Sequence, residues 1–174
     1  MNDFHPTRPA LTCQAVYLLT GQGRCHACGE GTRLFALMAL PPFEVPDDDE
    51  ELAGEGGLML SYIDQMPMPL AVQISAQTQD RWRSDYSRTA RWGYWMNHCE
   101  ACDAKQGDHF VHGPEGPFWP YTDAEMDAIG AVRLEGPWQF GEEVSISASL
   151  MSEWRDRKHG RARAESPPIG RRRR

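Results

Sequence analysis

The apolar positions of this chain fall in short, separated runs, most of them with the period of a strand. Ala15 to Leu19 and Thr32 to Leu40 are apolar and β-prone, and Gly21, Gly23, Gly29 and Gly31 punctuate the stretch between them. Residues 11–40 therefore predict a hairpin of two strands. Pro41-Pro42 is expected to end the second strand and open a loop whose acidic part spans 44–57. Asp47 to Glu51 supplies five acids in a row there, the pattern of a solvated connector, and its spacing does not match an EF-hand loop. Leu58 to Ile63 predicts a short strand, and Pro67 and Pro69 can seat a brief helix over Leu70 to Gln77. Trp92 to Met96 and His109 to His112 are predicted as strands on either side of Cys99 and Cys102. Thr122-Asp-Ala-Glu125 is a capping box, so a helix should run to about Ile129 with Gly130 as its stop. Val144 to Leu150 alternates as a half-buried strand does. The pattern predicts an α+β, β-rich domain over 11–154 with one or two short helices.

Charge divides the chain. The net charge is −7, but from Arg155 onward there are nine Arg or Lys against two acids, leaving nine basic and 23 acidic residues in 1–154. Residues 155–174, with Pro167-Pro168 and Arg171 to Arg174, are expected to form a basic disordered tail. An acidic body is a poor general phosphate binder, so any nucleic-acid contact has to come from a local patch or the tail. No stretch is long and apolar enough to span a bilayer, which excludes a membrane partner of that kind. The start, Met1-Asn-Asp-Phe-His-Pro, lacks a basic and then apolar leader, so the expected location is cytoplasmic. A reducing compartment favours free or metal-bound thiols over disulfides. The oligomeric state is left open.

Two Cys-x-x-Cys pairs then dominate the chemistry: Cys25-His-Ala-Cys28 and Cys99-Glu-Ala-Cys102. Two residues between cysteines let both sulfurs curl around one ion, and two such pairs supply four thiolates for a tetrahedral zinc site. The gap of about 70 residues between the pairs is longer than in a zinc finger, so the ion would join the front of the chain to its middle. Four soft thiolates in a closed shell predict structural Zn²⁺. An iron–sulfur cluster would use the same ligands, and a single pair would also suit dithiol exchange. Cys13 is the odd cysteine, expected to be a small apolar strand residue.

The segment Tyr86-Ser-Arg-Thr89 … Tyr94-Trp-Met-Asn97-His-Cys99-Glu-Ala-Cys102-Asp-Ala104-Lys-Gln106-Gly107-Asp108, with the earlier Cys25 to Leu40 element, resembles a group of uncharacterised bacterial zinc-ribbon-like proteins. These combine an early Cys-x-x-Cys-Gly knuckle with a later Trp-x-Asn-x-Cys-x-x-Cys-x-Ala-x-Gln-Gly-Asp block. The resemblance covers about residues 13–121 and implies knuckles on β-hairpins and a bound metal, but no activity. Where that group has Gly after the last cysteine, this chain has Asp103.

Other chemistry is sparser. Asp108 with His109 and His112 offers a hydrolase or nuclease reading, but on a strand His109 would point away from the other two. Asn97 is expected to cap the second cysteine turn. Nine of the 17 aromatics lie between Trp82 and Tyr121. Arg81, Arg83, Arg88 and Arg91 interleave there with Trp82 and Trp92, a composition suited to stacking single-stranded bases and neutralising phosphates. The alternative is that these aromatics pack around the metal with Arg stems across them. The expected function is a non-enzymatic zinc-binding module that recognises a protein or single-stranded nucleic acid. A metal-dependent hydrolase or nuclease using Asp108 and nearby His, and a thiol redox protein, are the alternatives.

Overall fold

The computed structural model describes residues 10–45, 56–141 and 144–148. In chain order these form β1 (Leu11–Arg24), β2 (Gly31–Glu44), β3 (Leu58–Ser61), α1 (Met68–Thr78), β4 (Trp82–Ser87), β5 (Trp92–His98), β6 (Lys105–Gln106), α2 (Asp108–His112), α3 (Asp123–Ala128), β7 (Gly130–Phe140) and β8 (Ser145–Ala148). The architecture is β-rich with few helices, as the pattern predicts. The acidic run 47–51 and the tail 155–174 lie outside the described residues. None of the described helices is long and apolar enough to cross a membrane.

β1 and β2 make one long antiparallel hairpin, paired from Thr12 with Glu44 to Arg24 with Gly31. It is the centre of a five-stranded antiparallel sheet of order β7-β1-β2-β3-β8, and a second sheet has the order β4-β5-β6. Both faces of the larger sheet are covered. On one, Val16, Leu18, Phe35 and Leu37 pack with Leu70 and Ile74 of α1 and Trp82 of β4. On the other, Leu19, Leu34, Ala36 and Met38 meet Val111 of α2, Phe118 and Met126 of α3. Two-sided burial is why β1 and β2 are nearly continuous apolar runs.

Pro41-Pro42 does not end β2. Gln14 on β1 faces two residues on each neighbour, Pro41-Pro42 on β2 and Gly136-Pro137 on β7, and both X-Pro bonds are cis. A bulge takes its extra residue out of the ladder, so prolines without an N–H are tolerated and β2 continues to Glu44. Gly136 is required at this crossing, since a Cβ there would lie 2.7 Å from the Trp138 nitrogen and 2.9 Å from the Gln14 oxygen.

The expected strand His109 to His112 is also corrected: these residues belong to the helix α2. Asp108 and Val111 are buried and His109 and Phe110 exposed, the i, i+3 spacing of a helix resting on a sheet. Over so few residues the apolar pattern cannot separate the two periods. The capping box of α3 forms as expected, with the helix ending at Ala128 and Gly130 opening β7.

Asn97, buried at the end of β5, joins the two sheets. Its Oδ1 accepts from the Phe35 N–H at 2.8 Å and its Nδ2 donates to the Phe35 carbonyl at 2.9 Å. β3 pairs with β2 only at Leu37 to Ala39, so beside Phe35 the side chain of Asn97 stands where a neighbouring strand's peptide would. Nearby, the Glu100 N–H donates to Thr32 Oγ1 and its carboxylate accepts from the N–H and Nε of Arg33.

Candidate metal centre

Each cysteine pair occupies the turn after a strand, and the two turns match bond for bond. In the first, the Cys25 N–H donates to the Glu30 carbonyl and the Gly29 N–H to the Cys25 carbonyl, both at 2.9 Å. In the second, the Cys99 N–H donates to the Ala104 carbonyl and the Asp103 N–H to the Cys99 carbonyl, both at 3.0 Å. Gly29 has φ +76° and Asp103 has φ +58°, so the residue after each pair is left-handed. Asp is among the few non-glycine residues that tolerate this region. The Asp103 carboxylate is moreover held by Arg81 at 3.0 Å and Arg83 at 2.9 Å.

The turns bring the four sulfurs of Cys25, Cys28, Cys99 and Cys102 within 4.8 Å of one another. Cys25 Sγ lies 3.6 Å from Cys102 Sγ, and Cys28 Sγ lies 3.8 Å from Cys99 Sγ. Disulfide sulfurs would be about 2.0 Å apart, and all four cysteines are free. Sulfurs at tetrahedral corners about 2.3 Å from a common ion would be about 3.8 Å apart. The cluster therefore has the dimensions of a four-thiolate metal site. Cys25 and Cys99 are buried, and Cys28 and Cys102 are exposed.

Backbone amides face the two buried sulfurs. The Ala27 N–H points to Cys25 Sγ and the Ala101 N–H to Cys99 Sγ, each at 3.4 Å. Burial raises the Cys25 thiol, but hydrogen bonds from the backbone of Cys28 and Ala27 and from the neighbouring thiols outweigh it and bring it down to about 6. The Cys28 thiol has one backbone bond, involving Glu30, that lowers it, yet Cys102, burial and the other two sulfurs push it up to about 12. Four crowded sulfurs do not all ionise without a cation between them.

Gln106 is the residue whose importance the sequence did not reveal. Fully buried, it donates from Nε2 to Cys25 Sγ at 3.2 Å and to the Ala104 carbonyl at 3.0 Å. Its Oε1 accepts from the His26 N–H at 3.3 Å and lies 3.1 Å from His26 Nδ1. One side chain on β6 thus reaches across to the turn on β1. The signal for it was its place in the Gln-Gly-Asp block.

The other sequence candidates disperse. Arg81 and Arg83 are engaged by Asp103, and Arg81 also donates to the Cys99 carbonyl. Trp82 is no stacking surface: it is 3% exposed, edge-on to Trp95, with its Nε1 donating to the Trp95 carbonyl. Its apolar ring belongs to the core that β4 closes. Trp92 is half-buried against Tyr62 and Tyr94. Arg88 and Arg91 are exposed in the turn between β4 and β5.

Asp108 is 5% exposed and accepts from the Tyr62 N–H, and burial pushes its carboxyl up to about 7. His112 is half-buried beside Phe118, and burial pulls it down to about 4. Asp108, His109 and His112 form no ligand group; among the described residues the only such cluster is the four cysteines. Asn97 binds Phe35 rather than capping the cysteine turn. His98 is buried, with Nε2 3.1 Å from Asp85 Oδ2; Lys105 and His98 hold the Asp85 carboxyl well below the usual range. Cys13 lies in the core, where burial pushes its thiol up to about 12.

Beside the cysteine turns opens a cleft of about 610 Å³ between the β4–β5 turn and α2, its walls including Tyr62, Tyr86, Arg88, Tyr94, Lys105 and Phe110. No protein-family model, curated protein or solved structure matches the chain.

Proposed function

We propose that Cys25, Cys28, Cys99 and Cys102 hold one structural zinc ion and that residues 11–154 form a zinc-ribbon-like binding module. On this reading the chain is a cytoplasmic, non-enzymatic adaptor for a protein or nucleic-acid partner. The observation that carries the metal reading is the spacing of the sulfurs, 3.6 and 3.8 Å in two cross-turn pairs. Zinc suits four thiolates, and the ion supplies cross-linking rather than catalysis when no ligand position is left open. Arg81, Arg83 and the amides of Ala27 and Ala101 lie where they offset the charge of such a centre. Sulfurs disposed around a common centre favour metal binding over dithiol exchange. The scatter of Asp108, His109 and His112 leaves the hydrolase reading without a ligand set.

Metal binding of this kind contributes roughly 10–16 kcal/mol in small zinc peptides. Elemental analysis of the purified chain should give one zinc per molecule and a colourless solution. Cys99→Ser should lose the metal and unfold at a lower denaturant concentration. A folded, metal-free protein with all thiols reduced overturns the reading.

A further inference from the structure

The cleft beside the metal centre has a composition unlike the rest of the molecule. The chain carries 25 Asp and Glu, yet none of the cleft's lining residues is acidic. Arg88 and Lys105 stand in its wall together with His26 and His109. Lys105 is paired with Asp85 at 2.9 Å, and that carboxylate is shared with His98. Asp108 lies behind the wall, buried against the Tyr62 amide. Arg88 is exposed and makes no ion pair among the described residues.

The aromatic side of the cleft is equally distinct. Tyr86 is 54% exposed and Phe110 47% exposed, large amounts for rings of this size. Phe110 is already stacked on His26, with centroids 4.7 Å apart and planes 6° from parallel, so its ring is fixed in orientation. The β4–β5 turn that carries Arg88 is pinned by bonds from the Ala90 N–H to Ser87 Oγ and from the Arg91 N–H to the Ser87 carbonyl. Flat apolar faces and a guanidinium without an ion pair among the described residues, at one cleft, match a planar, heteroaromatic, anionic ligand. The volume is in the range of small-ligand sites and too small for a duplex.

We propose that this cleft binds one nucleotide unit, with its base against the wall formed by Tyr86 and Phe110 and its phosphate toward Arg88. The proposal deepens the binding-module reading and rests on it. The same chemistry is offered by a free mononucleotide and by one nucleotide of a single strand.

The test uses the full zinc-loaded chain, titrated with adenosine 5′-monophosphate and, separately, with a short single-stranded oligodeoxynucleotide. Tyr86→Ala and Phe110→Ala should each weaken binding by about 5- to 150-fold. Arg88→Ala should lower the salt slope of strand binding by about one unit. Trp119→Ala removes an exposed aromatic outside the cleft and should leave affinity unchanged. Binding of the mononucleotide, in competition with the strand, identifies the free form as the ligand; binding of the strand alone identifies the polymer. No binding of either overturns the proposal, as does strand binding indifferent to Tyr86 and Phe110, which would come from other basic residues. Zinc is measured on every sample: a cleft that binds nothing while one zinc is retained fails alone, whereas absent zinc fails the module reading as well.

Discussion

A carboxyl group buried beneath the Tyr62 backbone keeps its proton to a higher pH than one in water. Asp108 is pushed to about 7 by burial, against an ordinary value of 3.8. Between about pH 4 and 7 the folded chain therefore binds more protons at this site than the unfolded chain, and stability falls as pH rises through that window. His112, pulled from 6.5 to about 4, gives the opposite slope over much of the same range, so the informative quantity is a difference between variants. Asp108→Asn keeps an acceptor for the Tyr62 N–H without an ionisable group. It should match the wild type below about pH 4 and exceed it in urea-unfolding free energy by a margin that grows up to about pH 7 and then levels off. The phenols of Tyr62 and Tyr94, raised by burial and by Asp108, do not titrate there. At this scale the four cysteines were legible because two fixed spacings in one short chain have few other uses. Gln106 and Asn97 were not, because an amide that bonds across the fold has no local spacing to announce it.

Among the elements, β5 is tied to β2 by an amide as well as by apolar packing. Asn97→Ala would strand the N–H and carbonyl of Phe35 in a buried position. Each unsatisfied group costs about 1–3 kcal/mol, so chemical denaturation should show a loss of roughly 2–6 kcal/mol. A loss below about 0.5 kcal/mol, the level of an ordinary surface change, contradicts the bridging role. The hairpin β1–β2, the helix α1 and the capping box of α3 were visible in the letters, since apolar runs and caps are local signals. α2 was taken for a strand because a five-residue segment shows too few turns to display its period. β4, Trp82-Arg-Ser-Asp-Tyr-Ser87, was obscured because it is mostly polar, and its Trp82, Arg83 and Tyr86 resemble a binding face as much as a strand. β7 was missed because it is mostly exposed and interrupted by Gly136-Pro137. The bulge opposite Gln14 depends on pairing between distant segments, which no single stretch of sequence contains.

At the scale of the molecule, the two cysteine turns are where the tip of the long hairpin meets the small sheet. The centre of the large sheet is held by apolar packing on both faces, independently of the sulfurs. On the zinc reading, a strong chelator should raise amide exchange in residues 24–31 and 92–106 first, with the middle of β1 and β2 retaining protection. Uniform loss of protection would mean that the sheet depends on the ion as a whole. The division into buried Cys25 and Cys99 and exposed Cys28 and Cys102 gives the centre an inner and an outer half. Oxidants and soft electrophiles arriving from water meet one sulfur from each turn before they reach the other two. Early chemical injury would thus loosen both grips equally while leaving an inner thiol on each side, so the joint wears from outside inward before it parts.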